Sequence, residues 1–186
     1  MKTRVLVISE SPFLNFDTSF YCYELIKLLV KKGMDVYDLI TNTVVDSKYD
    51  FIKGDFDSLS KFHNDKDSLN DNDKELFRKV IYIYKCRTGS VDNKFVEDVI
   101  KEHNISFVIC CISITSNFRL DKKISIPLIM NIRIEYAPLT KIHYDLIKFA
   151  DILISNTYHG DMSIRQLDNE ENKIMYKINP KIDFAY

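Results

Sequence analysis

The stretch RVLVISESPFLNFDTSFYCYELIKLLVKKGMDV, residues 4–36, decides the fold. It reads as strand, loop, helix, turn and second strand. RVLVIS is a short apolar run that stops at Ser9 and Glu10, the length of a buried strand. Tyr21, Leu25, Leu28 and Leu29 then recur at helical spacing, with Lys27, Lys31 and Lys32 off that stripe. Asp17, Thr18 or Ser19 can cap the helix, and Gly33 supplies its C-terminal stop. The loop between strand and helix contains no glycine, which is unusual where a nucleotide-binding fold begins.

Working outward, further Val- and Ile-rich runs alternate with helical patterns: DVYDLI, KVIYIY, SFVICCISI, IPLIMNI, DILIS and KIMYKI. Continuous apolar strands separated by helices mark a parallel sheet covered on both faces. The expectation is an α/β chain, with a Rossmann-like open parallel sheet of about seven strands and helices on both faces, forming a single domain over residues 1–186. DNKFVEDVIKEHN is expected as a second helix, with Phe95, Val96, Val99 and Ile100 on one side, Asp92 at its front and Asn104 at its back. Further helices are expected over LTKIHYDLIKFA, 139–150, and YHGDMSIRQL, 158–167. Residues 41–79 are rich in Asp, Asn, Ser and Lys and read as a loosely ordered polar insertion, a solvated loop around 64–73 flanked by short helices.

With 26 basic residues against 27 acidic ones, the net charge of -1 gives no electrostatic footprint for nucleic acid. Apolar runs fall short of the roughly 18 to 20 residues that span a bilayer, so no transmembrane segment is expected, and the location is read as cytoplasmic. Cys22, Cys86, Cys110 and Cys111 lie in apolar contexts without a CxxC pair, which predicts buried, reduced thiols with no disulfide and no metal.

Ligands of open parallel sheets bind outside the carboxyl ends of the strands. The candidate loops are therefore SESPFLNFDTS, SITSNF, NIRIEYAPL and SNTYHGD. There is no G-x-S-x-G, no P-loop glycine-lysine motif and no paired histidines.

Taken in order, VLVISESPF, YELIKLLVKKGMDV, IPLIMNIRIEYAPLTKIHYDLIKFADILISNTYHGDMSIRQL and NKIMYKINPKIDF resemble the N-terminal half of a GT-B glycosyltransferase. The resemblance is to the large retaining family with glycogen synthase-like and mannosyltransferase-like members, a family 4-like N-terminal domain. It rests on Glu24, Leu25 and Gly33 in the first helix, on ADILIS, and on Asp183 in INPKIDF. It implies an acceptor-side domain, with the nucleotide sugar held chiefly by a second, donor-binding domain. On that reading the chain, whose last residue is Tyr186, binds no cofactor itself. It is then expected to need a donor-binding half, as a further domain or a separate subunit, and to receive a carbohydrate or glycosylated acceptor. A non-catalytic binding or assembly module derived from such a domain is the alternative.

The resemblance assigns candidate acceptor contacts loop by loop. In NFDTSF, Asn15, Asp17 and Ser19 stand where relatives often have glycines. Asp17 repels a phosphate, so the loop reads either as a hydroxyl-binding rim or as a plain helix cap. Ser116 and Asn117 in SITSNF can hydrogen-bond a ligand, although relatives often place a histidine in this region. Glu135, at a strand end, resembles the acidic residue some relatives carry and is the one catalytic candidate. Arg133 can pair with it, either to orient it toward sugar hydroxyls or as a surface ion pair. His159 stands beside Gly160 near an expected helix start, where a hydroxyl or anion can bind.

Overall fold

The computed structural model describes residues 2–10, 12, 17–45, 51–59, 69–86, 91–113, 118, 120–133, 145, 147–155, 162 and 174–177. In chain order its elements are β1 (Arg4–Ser9), α1 (Asp17–Lys31), β2 (Asp35–Val45), β3 (Phe51–Gly54), α2 (Phe56–Leu59), α3 (Asp71–Phe77), β4 (Ile81–Cys86), α4 (Asn93–His103), β5 (Phe107–Ser113), β6 (Leu128–Arg133), β7 (Ile152–Ser155) and β8 (Ile174–Lys177). The eight strands form one sheet in the order β3-β4-β2-β1-β5-β6-β7-β8. Every pairing is parallel except that of β3 with β4. The chain is thus α/β with a Rossmann-like open sheet, as the apolar runs predict.

Alternate residues of each central strand feed two separate cores, which is why the strands read as unbroken apolar runs. Val5, Val7, Val36, Ile40, Tyr82 and Ile109 face Cys22, Ile26, Leu29 and Val30 of α1, with Phe56 and Phe77 from α2 and α3. Leu6, Ile8, Leu39, Ile83, Val108 and Cys110 face Val96, Val99 and Ile100 of α4. Phe118, Leu120 and Ile124 join that second face, and the described part of the β5–β6 crossover that carries them forms no helix.

The helix ends follow from local chemistry. Asp92 caps α4 by accepting from Phe95 N at 2.8 Å, and Asn104 closes it in the left-handed conformation at φ 50°. Gly33, at φ +79°, turns the chain from α1 into β2.

Three sequence expectations change in detail. The buried stripe of α1 is Cys22, Ile26, Leu29 and Val30, while Leu28 is exposed. Lys27, expected off the packed face, lies 3.1 Å from Asp73 of α3, which also accepts from the Tyr23 hydroxyl and Asn70 Nδ2. Within 41–79, β2 runs on to Val45, β3 adds an antiparallel edge strand, and α2 and α3 pack Phe56 and Phe77 into the core. The helices α2 and α3 are the short helices expected beside the polar stretch, whereas the edge strand β3 was not expected, because FIKG carries no unbroken apolar run. Most of the helices expected over 139–150 and 158–167 lie outside the described residues.

Candidate functional site

Because β1, β2, β4, β5, β6, β7 and β8 are all parallel, their carboxyl ends share one edge of the sheet. The winding reverses at β1, which pairs with β2 on one side and β5 on the other. This reversal is the point at which connections diverge to opposite faces, leaving a crevice outside the strand ends. Ser9 ends β1 opposite Cys111 of β5, and Ser113 ends β5 opposite Arg133 of β6. The loops that leave β1 and β5 therefore flank the crevice, and that leaving β6 is its next neighbour.

Ser9 is fixed from both ends of its residue. Its hydroxyl donates to Asp38 Oδ1 at 2.8 Å, and its carbonyl accepts from Thr41 Oγ1 at 2.9 Å. Both partners belong to β2, whose register against β4 shifts between Ile40, paired with Tyr84, and Val45, paired with Cys86.

Asp38 is fully buried, and its Oδ2 has no hydrogen-bond partner among the described residues. Burial pushes its carboxyl up to about 7, although the Ser9 hydrogen bond favours the charged form. Tyr82 and Tyr84 of β4 lie close enough for the Asp38 charge to act on them, and burial first, then that charge, raises both phenols. Above it, on α1, the Cys22 thiol is raised by its contact with the Cys111 thiol, then by burial. Cys22 Sγ also donates to the Cys111 carbonyl at 3.5 Å. Next along the row, Asn131 of β6 approaches Cys111 Sγ through Nδ2 at 3.8 Å, and its Oδ1 has no partner among the described residues. Polar groups thus line two successive rows of the sheet on the α1 face, Asp38 and Tyr82 in one and Ser9, Tyr84, Cys111 and Asn131 in the next toward the carboxyl edge.

The second wall is anchored by Asn93, at the start of α4. Its side chain donates to the Lys122 carbonyl and accepts from Asp121 N, both at 2.7 Å. Glu97, one turn on, accepts from Ser125 N and Ser125 Oγ, both at 2.7 Å. These bonds hold the chain that follows SITSNF against α4 and fix where that loop returns to the sheet.

Asp17 and Ser19 begin α1, and Arg133 is the last residue of β6. Their backbones therefore stand at the carboxyl edge. Asn15, Ser116, Asn117, Glu135 and His159 lie outside the described residues. Asp38 and Asn93 escaped sequence reading. The signal for Asp38 was available, as a carboxylate inside the apolar run DVYDLI. Asn93 resembles any polar first-turn residue, so nothing in the sequence marks it. His103, the last residue of α4, is buried and stacks on Tyr37 with ring centroids 4.7 Å apart, and burial lowers its pKa. Cys22, Cys110 and Cys111 are buried free thiols.

Among the described residues, no group of three or more His, Cys, Asp or Glu is placed to hold a metal ion, and no helix is long and apolar enough to cross a membrane. No protein-family model matches the chain, and no curated protein matches it at a significant level.

Proposed function

We propose that the chain is the acceptor-side half of a GT-B glycosyltransferase, receiving a carbohydrate or glycosylated acceptor at the carboxyl edge of its sheet. The observation that carries this reading is the reversal of winding at β1 and β5, flanked by the loops at 10–16 and 114–117. The first of these loops has no glycine and ends at Asp17. Backbone amides cannot crowd a phosphate there, and a carboxylate at the helix start opposes one. Asn, Asp and Ser side chains suit hydroxyl groups instead.

In this reading Asn15, Asp17 and Ser19 form one rim of the acceptor crevice, with Ser116 and Asn117 on the other. Glu135, oriented by Arg133, receives or aligns the attacking hydroxyl, and His159 contacts the outer part of the acceptor. The nucleotide sugar and the groups that stabilise its leaving phosphate belong to a donor-binding domain, with which this chain closes the cleft. Retaining transfer asks this half chiefly for positioning, which can contribute several kcal/mol by holding the hydroxyl near the anomeric carbon. The setting we propose is the cytoplasm.

A transfer assay tests the reading. The chain is combined with a candidate donor-binding partner and a panel of nucleotide sugars and saccharide acceptors. Transfer should require both proteins and fall when Asn15 and Asp17 are replaced by alanine. Transfer by this chain alone would refute the division of labour.

A further inference from the structure

One buried carboxyl group lies at the foot of this crevice, and no cation among the described residues acts on it. Among the described residues Asp38 has one hydrogen bond, from Ser9, and its Oδ2 has no partner. Among the described residues, the polar side chains beside it are neutral: Ser9 from β1, Tyr82 and Tyr84 from β4, Cys22 from α1 and, one strand further, Cys111 from β5, while Lys27 of α1 is taken up by Asp73 of α3 at 3.1 Å. The shorter helices α2 and α3 add the rings of Phe56 and Phe77 to the same core. Burial keeps both phenols protonated, and the Cys111 contact followed by burial does the same for Cys22.

We propose that Ser9 and Asp38 form a proton-controlled latch: with Asp38 protonated, the first half of α1 stays seated over the ends of β1 and β2, and loss of the proton loosens it. A buried carboxylate without a counter-charge is relieved by water, and the nearest cover is the helix turn that carries Cys22. That turn lies close to the start of α1, where few residues must open. The base of the first candidate loop, Ser9, is held by the same carboxyl group, so the state of Asp38 also sets how firmly that loop is rooted.

The direction follows from linkage. The seated form holds the Asp38 proton up to about 7, whereas an opened form releases it near the ordinary 3.8. Opening is therefore hardest in acid, becomes about tenfold easier per pH unit through that interval, and levels off above it.

Amide hydrogen exchange of the full chain tests the latch, with rates corrected for intrinsic pH dependence and repeated in low urea. Protection of Tyr21–Ile26 should fall on the order of 100-fold between pH 5 and pH 8 by an opening that is insensitive to urea, while α4 exchanges by a urea-sensitive route. Asp38→Asn should abolish the pH response of Tyr21–Ile26. Ser9→Ala removes the bond that favours the charged form, so the response should extend about one pH unit higher; this variant decides the matter if Asp38→Asn does not fold. The proposal is overturned if Tyr21–Ile26 shares the urea dependence of α4, if its protection is flat with pH, or if both variants keep the wild-type response.

Discussion

Replacing Asp38 by asparagine should make the protein more stable at neutral and alkaline pH, and less sensitive to pH throughout. The carboxyl's ordinary value of 3.8 is displaced to about 7 by complete burial. At about 1.4 kcal/mol per pH unit, the buried carboxylate costs the folded state about 4 kcal/mol above pH 7. The sign is that of a group whose folded state binds the proton more tightly. Stability is fully present below 3.8 and is lost as pH rises to about 7. Between pH 5 and pH 8 the wild type should therefore lose about 2–3 kcal/mol through this one residue. Asparagine keeps the acceptor for Ser9 but buries an amide whose hydrogens lack partners, a constant cost of about 1–3 kcal/mol. The assay is urea denaturation of both proteins from pH 5 to pH 8. Contributions from other titrating groups cancel in the difference, which should grow in favour of the variant by about 2–3 kcal/mol across the range. Parallel curves, with a constant difference at every pH, would refute the reasoning.

Asp73→Ala should destabilise by about 2–3 kcal/mol in urea denaturation, because Lys27 and the Tyr23 hydroxyl lose the acceptor that ties α1 to α3. Burial pushes the Asp73 carboxyl up, but Tyr23, Lys27 and Asn70 outweigh it and hold it below the usual range. Its stabilisation is thus present above the ordinary carboxylate pKa and lost as pH falls through the depressed one, and acid titration of Asp73→Ala should lack that loss. Asn93→Ala should cost about 2–4 kcal/mol, since the Lys122 carbonyl and Asp121 amide lose their partner together. Gly33→Ala should cost about 1 kcal/mol in thermal or urea unfolding, all of it conformational, because a Cβ there meets nothing within 4 Å while φ is +79°.

The fold was legible because its rules are short-range. Val5 to Ile8 are buried on both sides of the sheet, so β1 reads as a run without alternation, and α4 announces itself through Asp92, Asn104 and the spacing of Val96, Val99 and Ile100. What failed were features that depend on partners distant in sequence. Leu28 and Lys27 exchange their expected settings because Asp73, far along the chain, offers Lys27 a carboxylate. The antiparallel β3 was invisible in FIKG, whose lysine and glycine break any apolar pattern. The site was legible only as geography. The parallel strands bring the ends of β1, β5 and β6 to one edge, while the supports beneath it, Asp38 under Ser9 and Asn93 under Lys122, depend on contacts between distant segments.

Backbone amide shifts, followed while the chain is titrated with a panel of saccharides and nucleotide sugars, test the proposed acceptor edge most directly. Saccharide-induced changes should gather at Ser9, Glu10, Thr41, Ser113 and Arg133, at the carboxyl edge, and nucleotide sugars should leave these amides unmoved. Changes at Arg4, Asp35, Phe107 and Leu128, on the opposite edge, or tight binding of a nucleotide sugar at Ser9 and Glu10 would contradict it.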